Sequence, residues 1–200
     1  MGRMQLAVIA ALATLFLAQP AAAQFNPLSI IKGAVEAAVE DRSADDIAKD
    51  AEIKTKITAR VIDKLGSEVI SINADVYEQD VMLTGAVEKS DIKAKAGKLA
   101  GGVDGVKKVL NEILVIEPVA QKKGAVEGFV DDTVIDTKIN GLLLDGKGVN
   151  VTNFRWRSVQ GHVFLFGRAL SAAEKTKAIG IVKGIEGVRS VTDRVKVRAK

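Results

Sequence analysis

The chain has 200 residues, with 29 basic against 25 acidic side chains, a formal net charge of +4, one histidine and no cysteine. Near balance of charge speaks against a dedicated nucleic-acid binder, which carries a dense basic stripe, while leaving room for a local basic surface that meets anionic lipid. Without cysteine there is no disulfide staple and no lipid-modified cysteine, and a single histidine offers little for a zinc site or a nucleophilic triad.

In chain order, residues 1–23 read as an export signal. Arg3 starts it, Leu6 to Leu17 is an apolar run, and Ala21-Ala22-Ala23 before Gln24 fits small-residue cleavage after Ala23. The run is too short to span a bilayer comfortably. The expectation is therefore an exported, periplasmic protein, peripheral to a membrane if it meets one, with an uncleaved anchor as the lesser alternative. Residues 24–49 form a lead-in, where Leu28, Ile31, Val35, Ala38 and Val39 recur near helical spacing. They predict a short amphipathic helix that packs on the first domain or touches a membrane. Asp41 to Asp46 reads as a polar linker or a helix start.

Slid along itself by about 82 residues, Asp50 to Val115 falls on Asp132 to Val197 without a gap. Shared positions include Asp50/Asp132, Thr55-Lys56-Ile57 with Thr137-Lys138-Ile139, and Gly105-Val106 with Gly187-Val188. Two small domains are expected, at 50–117 and 131–198, joined by a linker at 118–130 that exposes Lys122-Lys123. Units this small bury a thin core, so each is expected to lean on its neighbour. A duplicated unit of this size points to a binding module, and no catalytic constellation repeats with it.

In the first unit, Ile53, Ile57, Val61 and Leu65 lie four apart and predict a helix, which Gly66 ends. Ile72, Ala74 and Val76 alternate with polar residues, which is strand periodicity. Glu78-Gln79-Asp80 turns the chain into a second strand over Val81 to Thr84. Ile92, Ala96, Leu99, Ala100 and Val103 mark a second helix, and Val106 to Ile116 a third strand. The second unit repeats the order: Ile135, Ile139 and Leu143 stripe its first helix, and Phe154, Trp156 and Ser158 alternate on a strand. Gln160-Gly161 turns, Ser171-x-x-Glu174 is a capping box, and Val188 to Val197 is the last strand. Gln79 stands where the second hairpin has Gly161, so the two turns are expected to differ in shape.

Val81-Met82-Leu83-Thr84-Gly85 with Gly105-Val106-Lys107-Lys108-Val109, then Val163-Phe164-Leu165-Phe166-Gly167 with Gly187-Val188-Arg189-Ser190-Val191, resembles the BON domain, a bacterial module named for osmotic-stress and nodulation proteins. Asp41-Arg42-Ser43 also resembles the stretch before the first domain in two-BON envelope proteins. The resemblance implies an α+β chain of two tandem αββαβ domains, each a three-stranded sheet with two helices on one face. It further implies an exported, non-enzymatic protein that binds phospholipid or supports envelope integrity or osmotic-stress tolerance, in some cases as a stress-induced chaperone. In related proteins the lipid-contacting surface is placed around the second domain's first helix; here Asp136, Lys138, Leu142 and the loop Asp145 to Gly148 occupy that position, without an aromatic.

No catalytic residue, metal or cofactor is predicted. His162, beside the second turn, reads as a surface histidine. Asp75, Glu78 and Asp80 cluster near the first hairpin, but their spacing lacks the glycine-bearing loop of a calcium hand, so a solvated hairpin tip is expected. Strand alternation is more instructive. If Phe154, Trp156, Val163, Leu165, Val191, Val195 and Val197 face the helices, the other sheet face carries Arg155, Arg157, Phe164, Phe166, Arg194, Lys196 and Arg198. These seven are the candidate lipid- or partner-binding residues. The first domain's matching face, with Asn73, Asp75, Tyr77, Met82, Thr84, Leu110, Glu112 and Leu114, is apolar with acidic flecks. Either the two faces pack on each other or on another subunit, or the basic face meets lipid. A second candidate surface is helical, with Lys54, Lys56, Arg60 and Lys64 on one helix and Lys93, Lys95 and Lys98 on the next. The favoured function is contact with an anionic phospholipid surface. The alternatives are a soluble periplasmic chaperone for client proteins and an assembly module for other envelope proteins.

Overall fold

The computed structural model describes residues 40–66, 71–116 and 131–198. The export signal, the amphipathic lead-in stripe up to Val39 and the interdomain linker with Lys122-Lys123 lie outside the described residues. The first unit opens with α1, Ala44–Leu65. Ser43 caps it, its hydroxyl accepting from the Asp46 amide at 3.1 Å, and Asp45 and Asp46 place negative charge at the positive helix end. The helix therefore starts ahead of the expected domain boundary at 50. Gly66, at φ +63°, ends it.

Two strands follow, β1 (Asn73–Tyr77) and β2 (Asp80–Thr84), then the short β3 (Ala86–Val87), α2 (Ser90–Gly101), β4 (Lys108–Asn111) and β5 (Leu114–Val115). β2 lies between an antiparallel β1 and a parallel β4, with α2 as the crossover. The expected third strand is thus split, but β5 pairs with β3 in parallel, and Glu112 and Leu114 amides donate to Leu83 and Gly85 carbonyls across the break at 2.8 Å.

The second unit has α3 (Asp132–Asp145), a 3-10 turn over Val151–Asn153, β6 (Phe154–Val159), β7 (His162–Ala169), α4 (Ala172–Lys183) and β8 (Ser190–Val197). Its sheet order is β6-β7-β8, again with the hairpin antiparallel and the crossover pair parallel.

Each unit buries its own core between helices and sheet. Ile53, Ile57 and Val61 meet Ala74, Val76, Val81, Leu83, Ala96 and Ala100 in the first. Ile135, Ile139 and Leu143 meet Phe154, Val163, Leu165, Ala178 and Val182 in the second. A fully buried Ile or Leu contributes roughly 1.5–3 kcal/mol, so these stripes outweigh local propensity in holding the helices down. Val197 departs from the inward pattern: it is 42% exposed, at the chain-terminal end of β8.

The capping box forms with a variation. Ser171 Oγ accepts from the Glu174 amide at 3.1 Å, but the Glu174 carboxylate reaches the amides of Leu170 and Asn150, both at 2.6 Å. That second reach ties the segment after α3 to the start of α4.

A third apolar cluster joins the units. Tyr77 and Met82 of the first sheet pack with Val159, Phe164 and Phe166 of the second, with Leu110 and Leu114 beside them. The layers therefore run helices, sheet, sheet, helices.

Candidate functional site

The geometry of the two sheet faces follows from the hairpins. Glu78 and Gln79 have φ of +54° and +65°, and Gln160 and Gly161 have +53° and +78°. Both turns therefore carry two successive left-handed residues, the primed form that suits twisted strands. The expected difference between Gln79 and Gly161 does not arise. The reason is the shared aspartate: Asp50 accepts from the Glu78 and Gln79 amides, both at 2.7 Å, and from Gln79 Nε2 at 3.1 Å. Asp132 does the same for Gln160 and Gly161, at 2.6 and 2.8 Å, and takes the Ser158 hydroxyl at 2.5 Å. A carboxylate on the first helix thus holds each hairpin turn.

With both turns alike, the second sheet presents its basic face to the first sheet. Phe164 and Phe166 are only 3% and 2% exposed, and Tyr77 meets Phe166 edge to face at a centroid distance of 6.5 Å. Arg194 pairs with Glu112 at 2.6 Å and Lys196 with Asp80 at 2.7 Å. Arg198 reaches Asp41 at 3.1 Å. Arg155 binds Glu40 and the carbonyls of Thr152 and Phe154, while Arg157 lies 3.9 Å from Asp136 on its own unit's α3. All seven candidate residues are accounted for, and the two phenylalanines are covered by the first unit.

The acidic group near the first hairpin is not a solvated tip. Asp75 and Asp80 are buried, and Asp75, Glu78 and Asp80 pair with Lys54, Arg168 and Lys196 at 3.3, 2.6 and 2.7 Å. Glu78 and Asp80 are neutralised across the interface by cations of the second unit, and Asp75 by Lys54 of its own α1. His162 Nδ1 lies 2.7 Å from the Ser190 hydroxyl.

Sequence reasoning missed the segment Glu40-Asp41-Arg42. Arg42 pairs with both Glu40 and Asp50, and its guanidinium lies 4.1 Å over the Tyr77 ring. Glu40 also pairs with Arg155, and Asp41 takes Arg168 and Arg198 while its amide donates to Asn153 Oδ1 at 3.0 Å. Residues 40–42 clasp the two units, and the helix start read over Asp41 to Asp46 is found where Ser43 caps α1. Burial in this layer pushes the Tyr77 hydroxyl up to about 12, against the pull of the Arg42 and Arg168 cations. Desolvation likewise pushes Asp136 up to about 6, opposed by Arg157 and the Ser158 amide and aided by the Asp132 and Asp75 carboxylates.

Because the sheets face each other, the outward surfaces are helical. Lys54, Lys56, Arg60, Lys64, Lys95 and Lys98 are exposed on α1 and α2, and Lys93 is half-buried. In the second unit α3 exposes Val134, Leu142 and Leu144, and Lys138 lies 3.9 Å from Glu186. No helix among the described residues is long and apolar enough to cross a membrane.

Compared with known proteins, the chain matches the family model described as BON domain twice, at residues 49–117 and 131–199. The Osmotically-inducible protein Y of Escherichia coli (strain K12) is 30% identical over 149 residues, which cover 74% of this chain and 73% of that protein. The "Uncharacterized protein in gshII 5'region" of Anaplasma centrale is 34% identical over 129 residues, covering 64% and 82%. The Outer membrane lipoprotein DolP of Haemophilus influenzae is 30% identical over 154 residues, covering 76% and 69%.

Proposed function

The chain belongs to the BON domain family, and from that premise we propose that it is a non-enzymatic, exported protein of the bacterial envelope that holds anionic phospholipid reversibly and supports the envelope under osmotic stress. Its relatives carry the names of an osmotically inducible protein and an outer-membrane lipoprotein, which support the compartment and the stress connection. The observation that carries the lipid part is the layer order. The sheet faces are spent on each other, so any partner meets helices first, and the first unit's outward helices carry the cations from Lys54 to Lys98. Cations near an anionic leaflet each add about 1 kcal/mol of attraction, screened by salt.

Sedimentation of the mature protein with vesicles tests this reading. Co-sedimentation with phosphatidylglycerol-containing vesicles at low salt, lost at high salt and absent with neutral vesicles, is the expected result. Equal sedimentation with neutral and anionic vesicles at low salt rejects it.

A second reading rests on the layer of Tyr77, Met82, Phe164 and Phe166. Were the sheets to part, that layer would offer client proteins an aromatic face bordered by charge. Suppression of client aggregation in the absence of lipid would favour this chaperone reading.

A further inference from the structure

One depression in the outward helical layer collects charge. It lies between α1 and α2, has a volume of about 380 Å³, and is lined by Arg60, Lys64, Leu65, Lys95, Lys98 and Leu99. Arg60 and Lys64 are one turn apart on α1, and Lys95 and Lys98 one turn apart on α2, so the two pairs stand across the groove from each other. Leu65 and Leu99, both half-buried, form an apolar floor. We propose that this groove is a binding site for the phosphate-bearing headgroup of an anionic phospholipid at a membrane surface.

The fold itself does not call for these cations. In the second unit the repeat puts Leu142, Gly146, Lys177 and Gly180 at the positions of Arg60, Lys64, Lys95 and Lys98, and α3 and α4 pack there without the cluster. Four like charges around one depression repel one another, which a purely structural role would avoid. Arg60 Nη1 donates to the Gly102 carbonyl at 2.6 Å, so the end of α2 fixes its position while its charge stays at the groove.

The nearest acids do not close the site. Lys95 meets Asp91 at 3.0 Å and Lys64 meets its neighbour Asp63 at 2.8 Å, both exposed pairs of the kind that contribute little. A phosphate oxygen can replace either partner. Guanidinium suits two phosphate oxygens at once, and ammonium groups act as point charges around it. The groove is open to the outside on the face away from the second unit, so a leaflet can approach it directly. The leucine floor then receives the glycerol end of the headgroup.

This site rests on the lipid reading above, and the test separates the two. Vesicles of phosphatidylcholine with and without phosphatidylglycerol are titrated with the full mature chain and with two triple variants. One is Lys64→Gln, Lys95→Gln, Lys98→Gln; the other removes equal charge from the second unit, away from its first helix, by Lys175→Gln, Lys183→Gln, Arg189→Gln. Arg60 is left in place because it caps α2. The groove variant is expected to lose about tenfold in affinity for anionic vesicles, the control about twofold or less. Equal losses in both variants overturn the groove and leave the lipid reading standing. Wild type that shows no preference for anionic vesicles overturns both. Inorganic phosphate alone is titrated as a third arm; binding there at micromolar concentration, with no vesicle binding, assigns the groove to the free anion and overturns the membrane source.

Discussion

At the residue scale, the repeat's shared aspartates are hairpin clamps. Gln79 sits in the left-handed region that costs a side-chain-bearing residue about 1–2 kcal/mol, and the Asp50 carboxylate offsets that by taking both its amide and its side chain. Asp50 also pairs with a buried Arg42, and among the described residues no cation pairs with Asp132. Asp50→Ala should therefore cost ~3–5 kcal/mol in urea unfolding, because a buried guanidinium loses one of its two carboxylates along with the turn's acceptor, and Asp132→Ala only ~1–3 kcal/mol. Gly85 and Gly167 of the V-x-L-x-G motif have an equally local cause. At φ of +120° and +111°, a Cβ on either would collide with the Ser71 or Asn153 carbonyl oxygen. The motif was readable in the sequence, but this reason was not, since the colliding carbonyl belongs to the turn that leads into the facing strand. Asp136 gives a pH effect. Its folded-state value, about 6, lies above the ordinary 3.8, so folding takes up a proton. The resulting stabilisation is complete below about pH 4 and is lost as pH rises through about 6. Asp136→Asn keeps an oxygen for the Ser158 amide and should raise stability at pH 7 by roughly 1–3 kcal/mol, with no gain near pH 4. Urea midpoints at the two pH values check the sign.

At the scale of elements, helix and strand positions were legible because period and punctuation are local. The four-residue stripe of α1, the alternation in β1 and β6, and the Ser171 cap all appear where the pattern places them. The clasp at residues 40–42 was not legible. Its partners Asn153, Arg155, Arg168 and Arg198 lie more than a hundred residues along the chain, and nothing in a polar hexapeptide specifies them. Its parts are unequal in burial. Arg42 and Glu40 side chains are 3% and 4% exposed, whereas Asp41 is 23% exposed and sits at the rim. Arg42→Ala leaves Glu40 and Asp50 short of a buried cation and should destabilise by ~3–5 kcal/mol, while Asp41→Ala should cost ~1 kcal/mol. Differential unfolding in urea resolves the two, and similar values would mean that the clasp is not held by its buried ion pairs.

At the scale of the whole molecule, the duplication explains why the sheets meet. Glu112 and Arg194 occupy the same position in the two repeats and pair with each other, as residues on the axis of an isologous dimer do. Met82 and Phe164 are also equivalent, and both lie in the shared layer. Two copies of the first face would set Glu112 against Glu112, and two of the second would set Arg194 against Arg194. Divergence of sign between the halves makes the intramolecular pairing the favourable one. The sequence showed complementary faces but left open whether they cover each other, because alternation says which side a residue takes and not what lies beyond it. The axis pair supplies a direct test. Glu112→Arg alone opposes two guanidiniums and Arg194→Glu alone opposes two carboxylates, each expected to destabilise by ~1–2 kcal/mol given the partial exposure of the pair. The double swap restores the opposite charges at the same place and should recover most of that loss, giving a coupling of ~1 kcal/mol or more in a double-mutant cycle. Additive single and double effects would mean that the repeats do not meet on this axis in solution.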